Sequence, residues 1–157
     1  MSQTPRTFAP IIEKDALSAL LPHKGRMFLL DRVTAWDCDQ WMLESETVLT
    51  ERFMFYDAAS GGTPAWAAFE LMAQSVSALT SIDAHIHGLP ANMGMILSVA
   101  AMHFDRPLLP AGTTAVVRVR RDAAVDSVYS FTGTLLVDGA ACATSSLPPS
   151  ALAMHLT

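Results

Sequence analysis

GGTPAWAAFELMAQSVSALTSI, from Gly61 to Ile82, is the stretch that decides how this chain folds. Two glycines permit a tight entry, Thr63 offers an N-cap oxygen, and Pro64 suits the first helical position. Beyond it Ala65, Trp66, Ala67, Ala68, Phe69, Leu71, Met72, Ala73, Val76 and Leu79 cover nearly the whole circumference of a helix. The pattern predicts a helix from Pro64 to Ile82 that is buried on most sides, with Gly88 and Pro90 as its stop signals.

Upstream, EKDALSALL at residues 13–21 has apolar positions at helical spacing and runs into Pro22, which predicts a short helix ending there. After a turn at His23-Lys24-Gly25, Met27–Trp36 and Trp41–Leu49 read as two strands around Asp37-Cys38-Asp39-Gln40, a hairpin. Downstream, residues 94–104, 113–121, 127–137 and 140–147 are strand-like, the last two flanking the hairpin signal Asp138-Gly139. The expected class is α+β, an antiparallel sheet curled around one buried helix.

With 157 residues and 51% hydrophobic side chains, the chain can bury one core and is too short for two ordinary domains. Its longest apolar stretch, Pro64 to Leu79, is interrupted by Glu70, Gln74, Ser75 and Ser77, which argues against a membrane span. Met1 to Pro10 carries no signal-like run, so a cytoplasmic location is expected. Cys38 and Cys142 lie far apart with no histidine at zinc spacing; both read as packing residues, and no metal site is expected. Ten Lys and Arg against fifteen Asp and Glu, with no basic run, make nucleic acid a poor partner.

Glu70, Gln74 and Ser77 fall on one stripe of the central helix, polar residues inside a core element. A carboxylate buried there without a partner costs several kcal/mol or holds a proton, which would make it a proton donor. The alternative is that the Glu70 face reaches solvent or pairs with Arg106 or Arg118. Free N–H groups at Pro64-Ala65-Trp66 could polarise a carbonyl oxygen, although every helix has such an end. His85 and His87, two apart, read as favourable charge at a helix C-terminus rather than as a metal pair. His103 interrupts a core-like strand and His155 lies in the tail; neither has a visible partner in the sequence.

LLPHKGRMFLLDRV, Leu20 to Val33, resembles the LLPHRYPFLLVDRV opening of FabZ-type 3-hydroxyacyl-[acyl-carrier-protein] dehydratases. PAWAAFELMAQ, Pro64 to Gln74, resembles that family's PGVLxxEAMAQ helix, and ILSVAAMHFDRPLLPAGTT, Ile96 to Thr114, is similar to its FAGIDKARFKRPVVPGD segment. The resemblance implies a hot-dog fold and places Glu70 on the catalytic acid. It implies that water is eliminated across C2 and C3 of an acyl thioester on an acyl carrier protein or coenzyme A. A histidine would act as base, helix-start N–H groups would steady the enolate-like thioester, and two subunits, alike or different, would share each site. Beyond the substrate's own phosphopantetheine arm, no cofactor is expected.

The family histidine sits in a GHFPG motif eight residues before the helix proline, and Tyr56 stands there in FYDAASGGTPAW. That wording, with PHKGRMFLLD, is closer to a divergent branch associated with aryl-polyene and related polyketide-like pathways. His23 is the replacement base that the resemblance suggests, with Tyr56 and Asp57 near the helix start holding the hydroxyl or orienting His23, or else His23 caps the short helix and Tyr56 packs. Arg118, Arg120 and Arg121 with Arg106, Lys24 and Arg26 form either a basic patch for an acidic carrier or a solvated face. Two further readings stay open: a silent subunit completing the tunnel of an active hot-dog partner, and an acyl thioesterase.

Overall fold

A computed structural model describes residues 7–90, 94–99, 102–126, 128–145 and 152–156. In chain order its elements are β1 (Ile12–Glu13), α1 (Lys14–Leu20), β2 (Arg32–Asp37), β3 (Met42–Leu49), β4 (Gly62–Pro64), α2 (Ala68–Ile86), β5 (Gly94–Val99), β6 (Met102–Phe104), β7 (Leu108–Pro110), β8 (Thr113–Val125), β9 (Val128–Val137), β10 (Ala140–Ser145) and β11 (Leu152–Leu156). Short 3-10 turns occupy Gly25–Met27 and Ala65–Ala67.

The antiparallel sheet runs β1-β2-β3-β8-β9-β10-β6, with β11 pairing both β9 and β5. Alternation along the strands sends Leu43 and Leu49 of β3, Ala115, Val117 and Val119 of β8, and Phe131, Leu135 and Val137 of β9 to the inner face. There they meet Leu71, Val76, Leu79 and Ile82 of α2, all inaccessible to water. Burying each large aliphatic side chain contributes roughly 1.5–3 kcal/mol. Helix and sheet approach so closely at Gly133 that a Cβ there would lie 2.8 Å from the Met72 sulfur. This is the hot-dog architecture, one long helix held in a curled antiparallel sheet.

Several elements depart from the sequence expectations. Thr63 is not an N-cap and Pro64 is not helical, because Gly62–Pro64 is held extended by pairing with Leu108–Pro110. The helix continues past Ile82 to Ile86, where Gly88 at φ +68° turns the chain and the Leu89 N–H reaches the Ala84 carbonyl at 2.8 Å. The predicted strand at Met27–Trp36 begins only at Arg32. Before it, Phe28, Leu29 and Leu30 are buried, but backbone groups of Met27 and Leu29 bond to the Gln74 side chain instead of a neighbouring strand.

The run at 94–104 is two strands with different partners, β5 on β11 and β6 on β10; Ala100 and Ala101 lie outside the described residues, as do Ser127, Ser146 and Leu147. His103 is not in a core strand: it is exposed at the sheet edge and pairs with Asp105 at 3.1 Å. The tail that holds His155 forms β11, made possible because β9 runs on beyond the part paired with β10. His87 closes the helix, with Nδ1 2.8 Å from the Asp83 carbonyl, while His85 packs on Phe8.

Candidate active site

Helix α1 ends where the Leu21 N–H bonds to the Leu17 carbonyl, and Pro22 forces the chain away, delivering His23 to the face of α2. Its Nε2 lies 3.8 Å from Oε1 of Glu70, with both side chains about 30% exposed, 28% for His23 and 30% for Glu70. That separation is too long for a direct hydrogen bond. The Nδ1 atom of His23 is buried and has no partner among the described residues. Glu70 is therefore not an isolated buried carboxylate: it opens to solvent on one side and has His23 and Gln74 on the other.

Gln74, one helical turn after Glu70, is fully buried and uses both ends of its amide. Its Nε2 donates to the Met27 carbonyl at 2.7 Å and to Glu70 Oε1 at 3.1 Å, while its Oε1 accepts the Leu29 N–H at 2.9 Å. One side chain thus orients the carboxylate and anchors the loop that carries His23. Ser75, read only as an interruption of the apolar run, ties the helix to β3 through a 2.8 Å bond to Ser45.

At the helix start the N–H of Ala65 is engaged by the Pro107 carbonyl at 3.0 Å, so the first amide without a partner among the described residues is the next one, that of Trp66. The Trp66 side chain is 56% exposed and meets Phe55 edge to face at 5.2 Å; Phe55 meets Phe53 at 5.9 Å. This aromatic row was not anticipated from the sequence, where its spacing of two and eleven positions matches no single element.

Tyr56 is half-buried nearby, its hydroxyl unbonded among the described residues. Asp57 is turned to another task. Its carboxylate accepts the Ser60 hydroxyl and the Ala59 N–H, bonds that hold it below the usual carboxylate range and close the turn into β4. It is not aimed at His23.

The arginines of β8 do not form an open basic patch. Arg118 bonds Glu44 at 2.7 Å, a contact that holds the Glu44 carboxyl below its ordinary value, and Arg120 pairs with Asp122 at 3.3 Å. Arg121 lies over Trp41 at 4.0 Å and Tyr129 at 5.3 Å. Lys24 caps α1 by bonding the Ser18 carbonyl. Burial, reinforced by Asp83, pushes the Cys38 thiol up to about 11, which makes it a poor nucleophile. Among the described residues no group of His, Cys, Asp and Glu could hold a metal ion, and no helix is long and apolar enough to cross a membrane.

Comparison with known proteins sets this geometry in context. The family profile described as ApeP-like, ApeP dehydratase, matches residues 15–149. The 3-hydroxyacyl-[acyl-carrier-protein] dehydratase FabZ of Mannheimia succiniciproducens is 28% identical over 137 residues, covering 83% of this chain and 87% of that protein. Among solved structures, the dehydratase heterocomplex ApeI:P from Xenorhabdus doucetiae superposes with a TM-score of 0.78 at 19% identity, covering 90% of each chain. A hypothetical thioesterase with coenzyme A from Streptococcus pneumoniae aligns at 0.59 and 9% identity, over 80% of this chain and 84% of that one.

Proposed function

The chain belongs to the ApeP-like dehydratase family, and from that premise we propose that Glu70 and His23 together eliminate water from a 3-hydroxyacyl thioester carried on an acyl carrier protein. The observation that carries the reading is the 3.8 Å approach of His23 Nε2 to Glu70 Oε1, with Gln74 steadying both sides. A base and an acid that close can act on adjacent carbons of one substrate.

The neutral imidazole of His23 takes the proton from C2 while the thioester oxygen, gathering charge, receives the Trp66 N–H. The C3–O bond breaks as protonated Glu70 gives its proton to the departing hydroxyl, and the electron pair left at C2 forms the C2=C3 double bond. Water leaves. The proton held by His23 then passes to Glu70, across the short gap between them, and restores both groups. Trp66, Phe55 and Phe53 offer an aromatic surface beside the reacting carbons. No cofactor enters this scheme, and a cytoplasmic setting with carrier-bound acyl chains accords with it.

The test is to incubate the purified protein with a 3-hydroxyacyl-carrier substrate and follow loss of water by mass spectrometry, with Glu70→Gln and His23→Ala alongside. Dehydration abolished by both substitutions supports the assignment; dehydration untouched by either refutes it.

A second reading is favoured by one observation: Tyr56, and not a histidine, stands at the place of the family histidine. On that reading the chain completes the tunnel of a different hot-dog subunit that supplies the histidine. Water loss only after that subunit is added, and insensitive to His23→Ala, would select it, whereas release of free thiol would mark a thioesterase.

A further inference from the structure

The inner face of β3 packs on α2 and is apolar at its two ends, Leu43 and Leu49. Between them Ser45 and Thr47 face the same way and are as deeply buried. A hydroxyl in such a place costs free energy unless it is bonded, and a valine would fill the Thr47 position without that cost. Each hydroxyl has a partner. Ser45 meets Ser75 on α2 at 2.8 Å, while Thr47 Oγ1 donates to the Leu29 carbonyl at 3.1 Å.

Thr47 stands where β2 has already parted from β3. The ladder between these strands reaches Arg32 opposite Glu46, with one further bond from the Asp31 N–H to the Glu46 carbonyl at 3.0 Å. Beyond it side chains take over: the Asp31 carboxylate accepts the Val48 N–H at 2.7 Å, and Thr47 reaches Leu29. Leu29 is therefore gripped from both sides, its N–H by Gln74 of the helix and its carbonyl by Thr47 of the sheet. From Leu29 back toward His23 the loop is a bonded turn. The Phe28 N–H donates to the Gly25 carbonyl and the Met27 N–H to the Lys24 carbonyl, both at 3.2 Å, and His23 is the next residue. A displacement of Leu29 thus passes along the turn to the imidazole that lies 3.8 Å from Glu70.

We infer that Thr47 is a positioning residue: its hydroxyl, acting through Leu29, sets how closely His23 approaches Glu70. Its importance for catalysis rests on the dehydratase reading above; the placement itself does not. Three variants of the full-length protein separate this role from simple core packing. Thr47→Val keeps the branched shape and removes the hydroxyl, and Thr47→Ser restores the hydroxyl. Ser45→Ala removes the neighbouring buried hydroxyl without touching the loop, and Ser75 keeps its bond to the Leu71 carbonyl.

Amide hydrogen exchange followed by mass spectrometry, and the kinetics of water loss, are measured on each. In Thr47→Val, residues 24–29 exchange about fivefold faster or more while α2 is unchanged, as loss of one bond from a local unit predicts. Its kcat falls about tenfold with KM within about twofold of the parent, because a displaced base slows the chemical step. Thr47→Ser recovers both readouts, and Ser45→Ala alters neither even where its Tm drops. Unchanged exchange and kcat in Thr47→Val overturn the proposal, as do losses that Ser45→Ala reproduces or Thr47→Ser fails to recover. A folded parent that loses no water refutes the dehydratase reading alone. Exchange then decides the positioning role: faster in Thr47→Val and normal in Thr47→Ser supports it, and unchanged in both overturns it.

Discussion

The side-chain oxygen of Gln74 accepts the backbone N–H of Leu29 at 2.9 Å, joining the middle of α2 to a loop 45 positions earlier in the chain. With the bond from Gln74 Nε2 to the Met27 carbonyl, this places a glutamine amide where a β-ladder would otherwise lie.

Gln74→Leu leaves the buried Leu29 N–H without its partner and removes the part-buried bond to the Met27 carbonyl. An orphaned buried group costs about 1–3 kcal/mol, so a loss of about that size is expected in urea denaturation. The His23 loop is released as well, so dehydration falls further than the loss of folded protein explains.

Glu70→Gln retains the hydrogen bond to Gln74 and keeps the fold, with stability within about 1 kcal/mol of the parent. Dehydration drops by about a hundredfold or more in Glu70→Gln and in His23→Ala. Because the two groups act as a unit, the double variant is expected to be little worse than the weaker single one. Rates that multiply instead would argue that they serve separate steps.

Glu44, held low chiefly by its hydrogen bond to Arg118, makes a pH-dependent contribution to stability. A carboxylate with a depressed folded value stabilises fully above its unfolded value, and that increment is lost as pH falls through the folded one. The stability gap between the parent and Glu44→Gln is therefore expected to be widest above about pH 5 and to shrink on acidification. Denaturation curves from pH 7 down to the acid range would check the sign. Since the pair is partly exposed, added salt also narrows the gap.

Gly133→Ala puts a Cβ 2.8 Å from the sulfur of Met72. Overpacking of this kind costs about 1–3 kcal/mol. Combined with Met72→Ala, which opens space at the same point, the loss should be smaller than the sum of the two singles, as thermal denaturation of all four proteins would show.

The long helix and the β8–β9–β10 meander were legible in the sequence because their burial follows a simple period and Asp138-Gly139 marks a hairpin. The stretch before Arg32 misled because Phe28, Leu29 and Leu30 are apolar like a strand, whereas their neighbouring backbone groups bond to a side chain from far along the chain. Strands β1, β4 and β7 are only two or three residues long, and β11 depends on how far β9 extends past β10. Glu70 and Gln74 could be picked out as polar residues in an apolar helix. Their approach to His23 could not, since no local pattern reports where a loop crosses a helix.

The two-stranded ribbon of β4 and β7 carries proline at opposite corners: Pro64 faces Leu108, and Pro110 faces Gly62. Proline has no N–H to lend, so neither strand can lengthen its ladder through that residue. The ribbon is a clasp of fixed length, fastened to the helix by the Ala65 bond to Pro107. On the proposed mechanism, such a clasp would fix the direction of the Trp66 amide before a thioester arrived, so that the reorganisation cost of that donor would be met during folding rather than at each turnover.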